Sequence, residues 1–410
     1  MSVAVHTSPL DVVGVDGFVH LDYAATAPCV RAAADAVNAL LPYYGSVHRG
    51  TGLRSQTSTL EYERARDVVA GFLGARDGDH VVFTRNTTDA LNLLARAVPA
   101  GTRTVVFESE HHATLLPWAD PVRLPAPASA DEAVAAASSA LRVLRGPKLL
   151  AVTGASNVTG EILPIRRLAE AAHRHGARIV VDAAQLAPHV PISLADLDAD
   201  YVALSGHKLY APFGAGVLAG RSDWLDAAQP YLAGGGASAA VGAGDVRWAT
   251  GPARHEGGTP NLLGAVALAA VCTALADAGR STSDEQELLA HLRAGLRSIP
   301  GAVEVSLFGP RSPRVGIVSL ALAGHDPARV ADRLAVEHGV GVRAGQFCAH
   351  PLVRHLTGRA GVAACGDTPG LLRASFGLGT TTDHLDRFLS GLAACLTVPA
   401  RRRPAARSTD

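Results

Sequence analysis

Lysine is almost absent from this 410-residue sequence, which contains only Lys148 and Lys208 among its 37 basic residues. Arginine therefore supplies nearly all of the positive charge. Arginine stays protonated in proteins, whereas lysine can lose its proton and form a Schiff base with a carbonyl group. Lys208 closely follows an apolar run at 201–205 that predicts a buried strand. It is therefore the first candidate for a chemical role.

Other absences exclude several classes of protein. The 37 acidic residues balance the 37 basic ones, so net charge gives no indication of a nucleic-acid partner or an anionic membrane. The N-terminal segment lacks the basic and apolar regions of a secretory signal. The longest uncharged apolar run, 262–276, suits a buried helix better than a bilayer span.

Cysteine is scarce and scattered. The five cysteines include no CxxC pair, which predicts a reducing, cytoplasmic location without a disulfide framework or a zinc site. Four of them, which we interpret as core or surface thiols, are Cys29, Cys272, Cys365 and Cys395. The fifth, Cys348, differs from these four in its loop-like context.

Strand and helix patterns alternate along the first two thirds of the chain. Strands are predicted at 80–84, 104–109, 148–154, 178–182, 201–205 and 216–220, with helices at 59–72, 86–98, 131–144, 164–176 and 262–276. This alternation predicts an α/β fold with a mainly parallel sheet covered by helices. The pattern changes near residue 290, and a smaller α+β domain is expected beyond it. Its predicted elements are a strand at 314–322, a helix at 327–338, a strand ending at Arg343, a strand at 371–378 and a helix at 383–395.

These changes give a predicted domain organisation. We expect an N-terminal extension at 1–20, a large domain at 21–290, a small α+β domain at 291–396 and a disordered tail at 397–410. The first part of 21–60 could pack with the small domain.

Polar side chains follow several of the predicted strands. The carboxyl ends of parallel strands share one edge of a sheet, where open α/β folds bind ligands. Thr87 and Thr88 open a helix, where they predict either an anion cradle or an ordinary cap. Asp182 could cap a turn or hold a protonated ring nitrogen. His111 and His112 have no third ligand at metal spacing, so no metal site is predicted.

Taken together, these groups suit a phosphate-bearing aromatic aldehyde. Thr87, Thr88, Ser205 and His207 would bind the phosphate, Lys208 the aldehyde, Asp182 the ring nitrogen and His111 the ring face. Pyridoxal phosphate meets these four requirements. A nicotinamide cofactor does not, since no predicted strand is followed by GxGxxG.

A series of sequence blocks then carries a resemblance. Between about residues 20 and 395 the chain contains, in order, LDYAATAP, VHRG, RNTTDALN, SEHHATLLPW, ASNVTGEILPI, VVDAAQ, LSGHKLYAPFGAGVL, HEGGTPN, VRAGQFCAHPL and LRASFGL. It resembles the class V aminotransferase family, which has fold type I of the pyridoxal-phosphate enzymes, and within it the cysteine desulfurase/selenocysteine lyase branch.

The resemblance implies roles for individual residues in a homodimer. Lys208 would form the Schiff base and transfer protons, His111 would stack on the ring, and Asp182 would pair with the ring nitrogen. The other cofactor contacts would be Gln185 to the phenolic oxygen, Thr87, Thr88, Ser205 and His207 to the phosphate, and Thr259 to the phosphate of the neighbouring subunit. Arg373 would bind the substrate carboxylate. Asn157 and Arg343 would assist it, and His48 and Arg49 would line the entrance.

Cys348 lies where this branch keeps its sulfur-accepting cysteine. A thiolate there could attack the substrate's sulfur and become a persulfide, whereas the alternative is a small buried hydrophobe. Two departures from the branch stand beside it. Gln346 and Phe347 replace the usual His-His pair, and the segment 352–372, interpreted as a loop, looks longer than usual. Either change would suit a larger sulfur-bearing substrate or a chain that no longer desulfurates free cysteine.

Three functional hypotheses follow. The first is a pyridoxal-phosphate enzyme that cleaves the C–S or C–Se bond of L-cysteine, selenocysteine or a related S-substituted cysteine and could pass sulfur to an acceptor protein. The second is a β-lyase of a cysteine conjugate or sulfoxide, or an aminotransferase or epimerase, none of which needs Cys348. The third, a non-catalytic protein, is disfavoured because folding does not require Lys208, Asp182, His111 and Arg373 together.

Overall fold

The computed structural model describes residues 8–14, 17–279, 282–361 and 370–397. Its strands are β1 Val19–His20, β2 Asp79–Thr84, β3 Arg103–Phe107, β4 Val122–Leu124, β5 Lys148–Thr153, β6 Arg178–Asp182, β7 Tyr201–Ser205, β8 Gly216–Arg221, β9 Ser238–Val241, β10 Val246–Trp248, β11 Ala302–Glu304, β12 Ile317–Leu322, β13 Val340–Gly341, β14 Arg343–Gly345 and β15 Leu371–Ser375. The helices are α1 Arg31–Leu40, α2 Leu53–Phe72, α3 Thr87–Ala97, α4 His112–Leu115, α5 Ala130–Val143, α6 Ile165–Arg174, α7 Leu194–Leu197, α8 Ser222–Ala227, α9 Leu262–Asp277, α10 Ser283–Leu296, α11 Pro327–His338, α12 His350–Ala360 and α13 Thr382–Thr397.

The main sheet has seven strands in the order β2-β8-β7-β6-β5-β3-β4. Strand β8 runs antiparallel to both of its neighbours, and all other pairs are parallel. The predicted α/β fold with a mainly parallel sheet is therefore confirmed. All six strands predicted in this part of the chain lie in the sheet, whereas the short strand β4 was not predicted.

Both faces of this sheet are covered, which explains the nearly continuous apolar runs of its strands. In β6, Ile179 and Val181 face a core that α5 and α6 share, while Val180 faces the opposite core, which contains α3. Helix α9 also belongs to the core, as predicted from its apolar sequence. Among the described residues, no helix is both long and apolar enough to cross a membrane.

A second sheet, β11-β12-β15-β14, is fully antiparallel. Helices α10, α11 and α13 pack on it around one apolar cluster. The strand β1 joins the same cluster and pairs in parallel with β13. Because α10 shares this core, we propose that any domain boundary precedes residue 283; the predicted division at 290 stays a prediction.

Two local predictions were wrong in this region. The single strand predicted to end at Arg343 is instead two short strands, β13 and β14, with different partners. The segment interpreted as a loop at 352–372 begins as helix α12, which runs to Ala360. Residues 362–369, which include Cys365, and the predicted tail beyond residue 397 lie outside the described residues.

Candidate functional site

A cavity of about 400 Å³ opens at the carboxyl edge of the main sheet. The sheet topology brings polar residues from the ends of successive strands to this edge, because parallel strands end on the same side. The predicted site residues that line it are Thr87, Thr88, His111, Asn157, Asp182, Ser205, His207, Lys208, Arg343, Cys348 and Arg373.

The other predicted site residues lie elsewhere. Gln185 is buried, and its Nε2 donates a hydrogen bond of 2.7 Å to the carbonyl of Ala24, which itself lines the cavity. His48 and Arg49 line a second cavity of about 440 Å³ rather than the mouth of the first. Thr259 is exposed and is not part of the lining of either cavity. The functions implied for these four residues stay predictions.

The amino terminus of α3 forms one wall of the cavity. Asn86 is the cap of this helix, since its side chain accepts a hydrogen bond of 3.0 Å from the backbone of Asp89. Asn86, Thr87 and Thr88 all line the cavity. The backbone N–H of Thr87 donates to Oγ of Ser205 at 2.8 Å, and the two hydroxyls are also 2.8 Å apart. A helix amino terminus flanked by hydroxyls favours the binding of a phosphate.

Gly216 allows this arrangement. A Cβ atom at Gly216 would lie only 2.5 Å from the Cα of Asn86. The absence of a side chain therefore lets β8 lie directly against the turn between β2 and α3, and so helps to place the helix terminus at the sheet edge.

Asp182 ends β6 as a buried carboxylate with two hydrogen-bond donors. Thr114 donates its hydroxyl to Oδ2 at 2.8 Å, and the backbone N–H of Ala184 donates to Oδ1 at 3.0 Å. Burial raises the pKa of Asp182, while these donors and Lys208 oppose the rise. The fully buried Glu110 has a pKa well above its usual value, because of burial and the negative charge of Asp182. Of the two acids, Asp182 is therefore the better suited to carry a charge.

Lys208 follows β7, and its amine interacts electrostatically with Asp182. Burial lowers the pKa of its amine, and the nearby carboxylate of Asp182 opposes this change. The lowered pKa increases the fraction of neutral amine, which is the nucleophilic form.

Two histidines of the site are neutral at ordinary pH. Burial is the main cause that lowers the pKa of His111 to about 3 and that of His207 to about 4, and the charge of Lys208 adds to both effects. Nδ1 of His111 accepts a hydrogen bond of 3.0 Å from the backbone of Ala113, so Nε2 carries the proton of the neutral ring. Nδ1 of His207 lies 2.8 Å from the hydroxyl of Thr26.

Arg373 is a buried cation at the other end of the cavity. Its terminal nitrogens donate to the carbonyl of Asn157 and to Oδ1 of Asp22, both at 2.9 Å. Its Nε has no hydrogen-bond partner among the residues that the structure describes. Arg343 lies 3.4 Å from the other oxygen of Asp22. Burial lowers the pKa of Arg373, and the charge of Asp22 counteracts this effect. The guanidinium therefore retains donors that could bind a carboxylate.

Cys348 lies on a tight turn beside this arginine. The backbone N–H of Ala349 donates to the carbonyl of Gln346 at 2.9 Å, and Phe347 and Cys348 between them have φ values of 51° and 54°. These features define a type I′ turn. Cys348 is exposed and lines the cavity, so the alternative of a buried hydrophobe was wrong. By contrast, Cys29 is half-buried and Cys272 and Cys395 are buried.

Sequence reasoning missed several residues that position the site. Thr114 lies within the block SEHHATLLPW, but its short helix gave no sign that its hydroxyl would reach Asp182. For Asp22, the available signal was the presence of an acidic residue in the block LDYAATAP. Phe347 was noted as a departure from the family pattern, without a contact to Arg373.

The arrangement fits pyridoxal phosphate. A helix terminus with hydroxyls suits the phosphate, and the neutral ring of His111 offers a flat surface for stacking. The buried carboxylate of Asp182 suits a protonated ring nitrogen, and the amine of Lys208 suits an aldehyde. All four groups line one cavity.

Comparisons with known proteins agree with this geometry. The profile of the family described as Aminotransferase class-V matches residues 19–388. A cysteine desulfurase of Klebsiella pneumoniae (strain 342) is 35% identical over 366 residues, which cover 85% of this chain and 86% of the relative. A probable cysteine desulfurase of Halalkalibacterium halodurans is 34% identical over 388 residues, covering 91% and 92% of the two chains.

Solved structures with the same fold include further desulfurases. The cysteine desulfurase of Thermococcus onnurineus NA1 has a TM-score of 0.82 and 31% identity, and the match covers 93% of this chain and 95% of that one. The cysteine desulfurase CsdA of Escherichia coli has a TM-score of 0.79 and 33% identity, with the same coverage. These matches confirm the predicted resemblance and fold type I. The chain belongs to the class V aminotransferase family, whose members depend on pyridoxal phosphate.

Proposed function

We propose that the protein is a pyridoxal-phosphate-dependent cysteine desulfurase that takes sulfur from L-cysteine onto Cys348. The observation that carries this proposal is that an amine, a guanidinium and an exposed thiol, from Lys208, Arg373 and Cys348, line one cavity. A cysteine substrate presents three complementary groups, namely a carboxylate, an amine and a sulfur. The names of the related proteins support the same reaction.

Several residues would hold the cofactor. The amino terminus of α3 with Thr87, Thr88, Ser205 and His207 would bind the phosphate, and neutral His111 would stack on the ring. Asp182 would hold the proton of the ring nitrogen, and Gln185 would contact the phenolic oxygen. When bound, the cofactor supplies an electron sink that weakens the bonds to the α-carbon of the substrate.

The protein's own groups would then orient the substrate and move its protons. Arg373 would bind the α-carboxylate through donors that Asn157 and Asp22 leave available, which fixes the orientation of the α-carbon. Lys208, as a neutral amine, would accept the α-proton and later return a proton to carbon. Its lowered pKa favours this role.

Cys348 would carry out the sulfur transfer. Its thiolate attacks the substrate's sulfur, so an S–S bond forms while the bond between sulfur and the β-carbon breaks. The electron pair of the broken bond stays with carbon, which is then protonated. The products are alanine and a persulfide on Cys348, and no external oxidant or reductant is needed. The exposure of Cys348 would let an acceptor protein collect the sulfur.

We also propose a cytoplasmic homodimer. The exposed Thr259 and the second cavity with His48 and Arg49 lie outside the main site, where they are available to a second copy of the chain. Cys29 and Cys395 are free thiols, which agrees with a reducing compartment.

The decisive experiment combines product analysis with three variants. The protein, reconstituted with pyridoxal phosphate, should convert L-cysteine to alanine, and persulfide should be detectable on wild-type protein. Lys208→Ala should lose the visible absorbance of the bound cofactor and all turnover. Cys348→Ala should retain the absorbance and lose alanine formation. Cys29→Ala, which changes a half-buried thiol outside the cavity, serves as the matched control and should behave like wild type.

The alternatives give different results. A β-lyase would form pyruvate and ammonia instead of alanine, and would stay active in the Cys348→Ala variant. An aminotransferase or epimerase would act without releasing sulfur. A wild-type protein that binds no pyridoxal phosphate would refute all of these enzymatic hypotheses.

A further inference from the structure

Phe347 occupies an unusual position in the turn that carries Cys348. Both central residues of a type I′ turn have positive φ, and glycine or asparagine is preferred there. Here the two positions are filled by a large aromatic residue and a cysteine, with φ values of 51° and 54°. A positive φ is uncommon for a bulky residue and requires support from the surrounding structure.

That support consists of hydrogen bonds to three successive residues of the turn. The side-chain amide of Asn157 donates to the carbonyl of Phe347 at 2.8 Å. The backbone N–H of His112 donates to the carbonyl of Cys348 at 2.8 Å. The backbone N–H of Ala349 closes the turn on Gln346 at 2.9 Å. The thiol is therefore presented by a fixed backbone.

The side chain of Phe347 links this turn to the buried arginine. Phe347 is 8% exposed and packs in an apolar cluster with Val158 and Leu371. The guanidinium carbon of Arg373 lies 4.6 Å from the centre of the ring. Asn157 contacts both Phe347 and Arg373. Its backbone carbonyl accepts a hydrogen bond from Arg373, and its side-chain amide donates one to the carbonyl of Phe347.

The ring of Phe347 thus covers the guanidinium group, while hydrogen bonds hold the edge of the guanidinium group. Arg373 contacts the carbonyl of Asn157 and the carboxylate of Asp22 through its terminal nitrogens. An aromatic ring near a desolvated guanidinium attracts it electrostatically and excludes water. Arg373 itself lines the cavity, so these contacts restrict the orientation of its guanidinium group there.

We infer that Phe347 is a positioning residue that fixes the guanidinium plane of Arg373 for carboxylate binding and ties it to the turn presenting Cys348. The inference rests on the proposed function, in which Arg373 binds the substrate carboxylate. It assigns a use to the aromatic residue that replaces a histidine of the family pattern. The groups proposed to recognise the two ends of the substrate, Arg373 for the carboxylate and Cys348 for the sulfur, are then linked through Phe347.

Three variants separate the contribution of the Phe347 ring from that of the backbone turn. Phe347→Tyr keeps the ring and should bind a carboxylate as tightly as wild type does. Phe347→Asn removes the ring but suits a left-handed backbone, so the turn should persist. Phe347→Leu keeps most of the buried apolar volume without an aromatic face. The rate of alkylation of Cys348 by iodoacetamide, corrected with Cys348→Ala, should stay within about twofold of wild type in Phe347→Asn, because the turn remains intact.

The main measurement is calorimetric binding of propanoate, a simple carboxylate, to the holoenzyme. Loss of a desolvated cation–π contact should weaken propanoate binding about 5- to 30-fold in the Leu and Asn variants and leave the Tyr variant unchanged. The KM for L-cysteine should rise by a similar factor with a smaller change in kcat, since the carboxylate is bound in both the ground and transition states.

Each other outcome overturns the inference. Equal propanoate affinity in all variants would show that the ring does not position Arg373, and weakening in the Asn variant alone would show that apolar volume is what matters. A wild-type protein that does not bind propanoate would also overturn it. Failure of the proposed function would be seen separately, as absence of alanine formation by wild-type holoenzyme.

Discussion

Replacing Thr114 by valine would test how the carboxylate of Asp182 is stabilised. Thr114 is fully buried, and its hydroxyl donates to Oδ2 of Asp182 at 2.8 Å. Valine has nearly the same shape, so the variant removes a donor while largely retaining the packing. The hydrogen bond from Ala184 to the other carboxylate oxygen should remain.

The size of the effect follows from the charge of the acceptor. A hydrogen bond to an ionised group contributes about 1.5–3 kcal/mol. One pKa unit corresponds to about 1.4 kcal/mol, so the pKa of Asp182 should rise by about 1–2 units. Burial already raises this pKa, and the substitution acts in the same direction. The protonated acid cannot pair with a protonated ring nitrogen. As the pH is lowered, the variant should therefore lose the cofactor at a higher pH than wild type does. Well above the pKa of Asp182 in both proteins, cofactor binding should not differ between them.

The assay is retention of the cofactor's visible absorbance after dialysis at a series of pH values between 5 and 9. The midpoint of the acid limb should move upward by about 1–2 pH units in Thr114→Val. Thr114→Ser keeps the hydroxyl and serves as the matched control. Asp182→Asn should bind the cofactor weakly at every pH tested and should not show this loss of cofactor at low pH.

Two results would refute the reasoning. If wild type and Thr114→Val lose cofactor at the same pH, the hydroxyl does not stabilise the carboxylate. If the midpoint moves to lower pH, the hydrogen bond favours the protonated acid instead.

Three further outcomes can be measured on the apoprotein. The pKa of buried Glu110 is raised, so its ionisation opposes folding as pH rises; the urea midpoint of wild type should fall relative to Glu110→Gln between pH 5 and 9, and parallel curves would contradict this. His111 and His207, with pKa values of about 3 and about 4, should show no NMR titration above pH 6, and a midpoint near 6.5 would be inconsistent. Glu161→Ala removes the buried partner of Arg314, 3.2 Å away, and should cost about 3–5 kcal/mol in urea unfolding; a cost below about 1 kcal/mol would exclude an important ion pair.

The main sheet could be predicted from local sequence because its strands are buried on both faces. The run RIVVD forms β6 residue for residue, since covered parallel strands need continuous apolar side chains. The helix α12 was missed although Leu352, Val353 and Leu356 lie at helical spacing after Pro351. The segment also contains several glycines, which are typical of a loop.

The site residues that lie at the ends of strands could be predicted from the sequence. Asp182, Ser205 and Lys208 come together because β6 and β7 are parallel neighbours. The environment of Arg373 could not be read in the same way, since its partner Asp22 is 351 residues away and no local pattern encodes such a contact. The ring contact from Phe347 likewise depends on the path of the turn.

The link between Asp22 and Arg373 has a consequence for synthesis of the chain. The backbone of Ser375 also bonds to Leu21 and Tyr23, so the segment around Asp22 is held largely by the last third of the protein. A ribosome adding about 5–20 residues per second would need about 20–70 s to make the 351 residues between these partners. During that time the start of the chain waits without its native neighbours. Completion of the substrate-binding end of the site, where Arg373 lies, is therefore a late event in the synthesis of the chain.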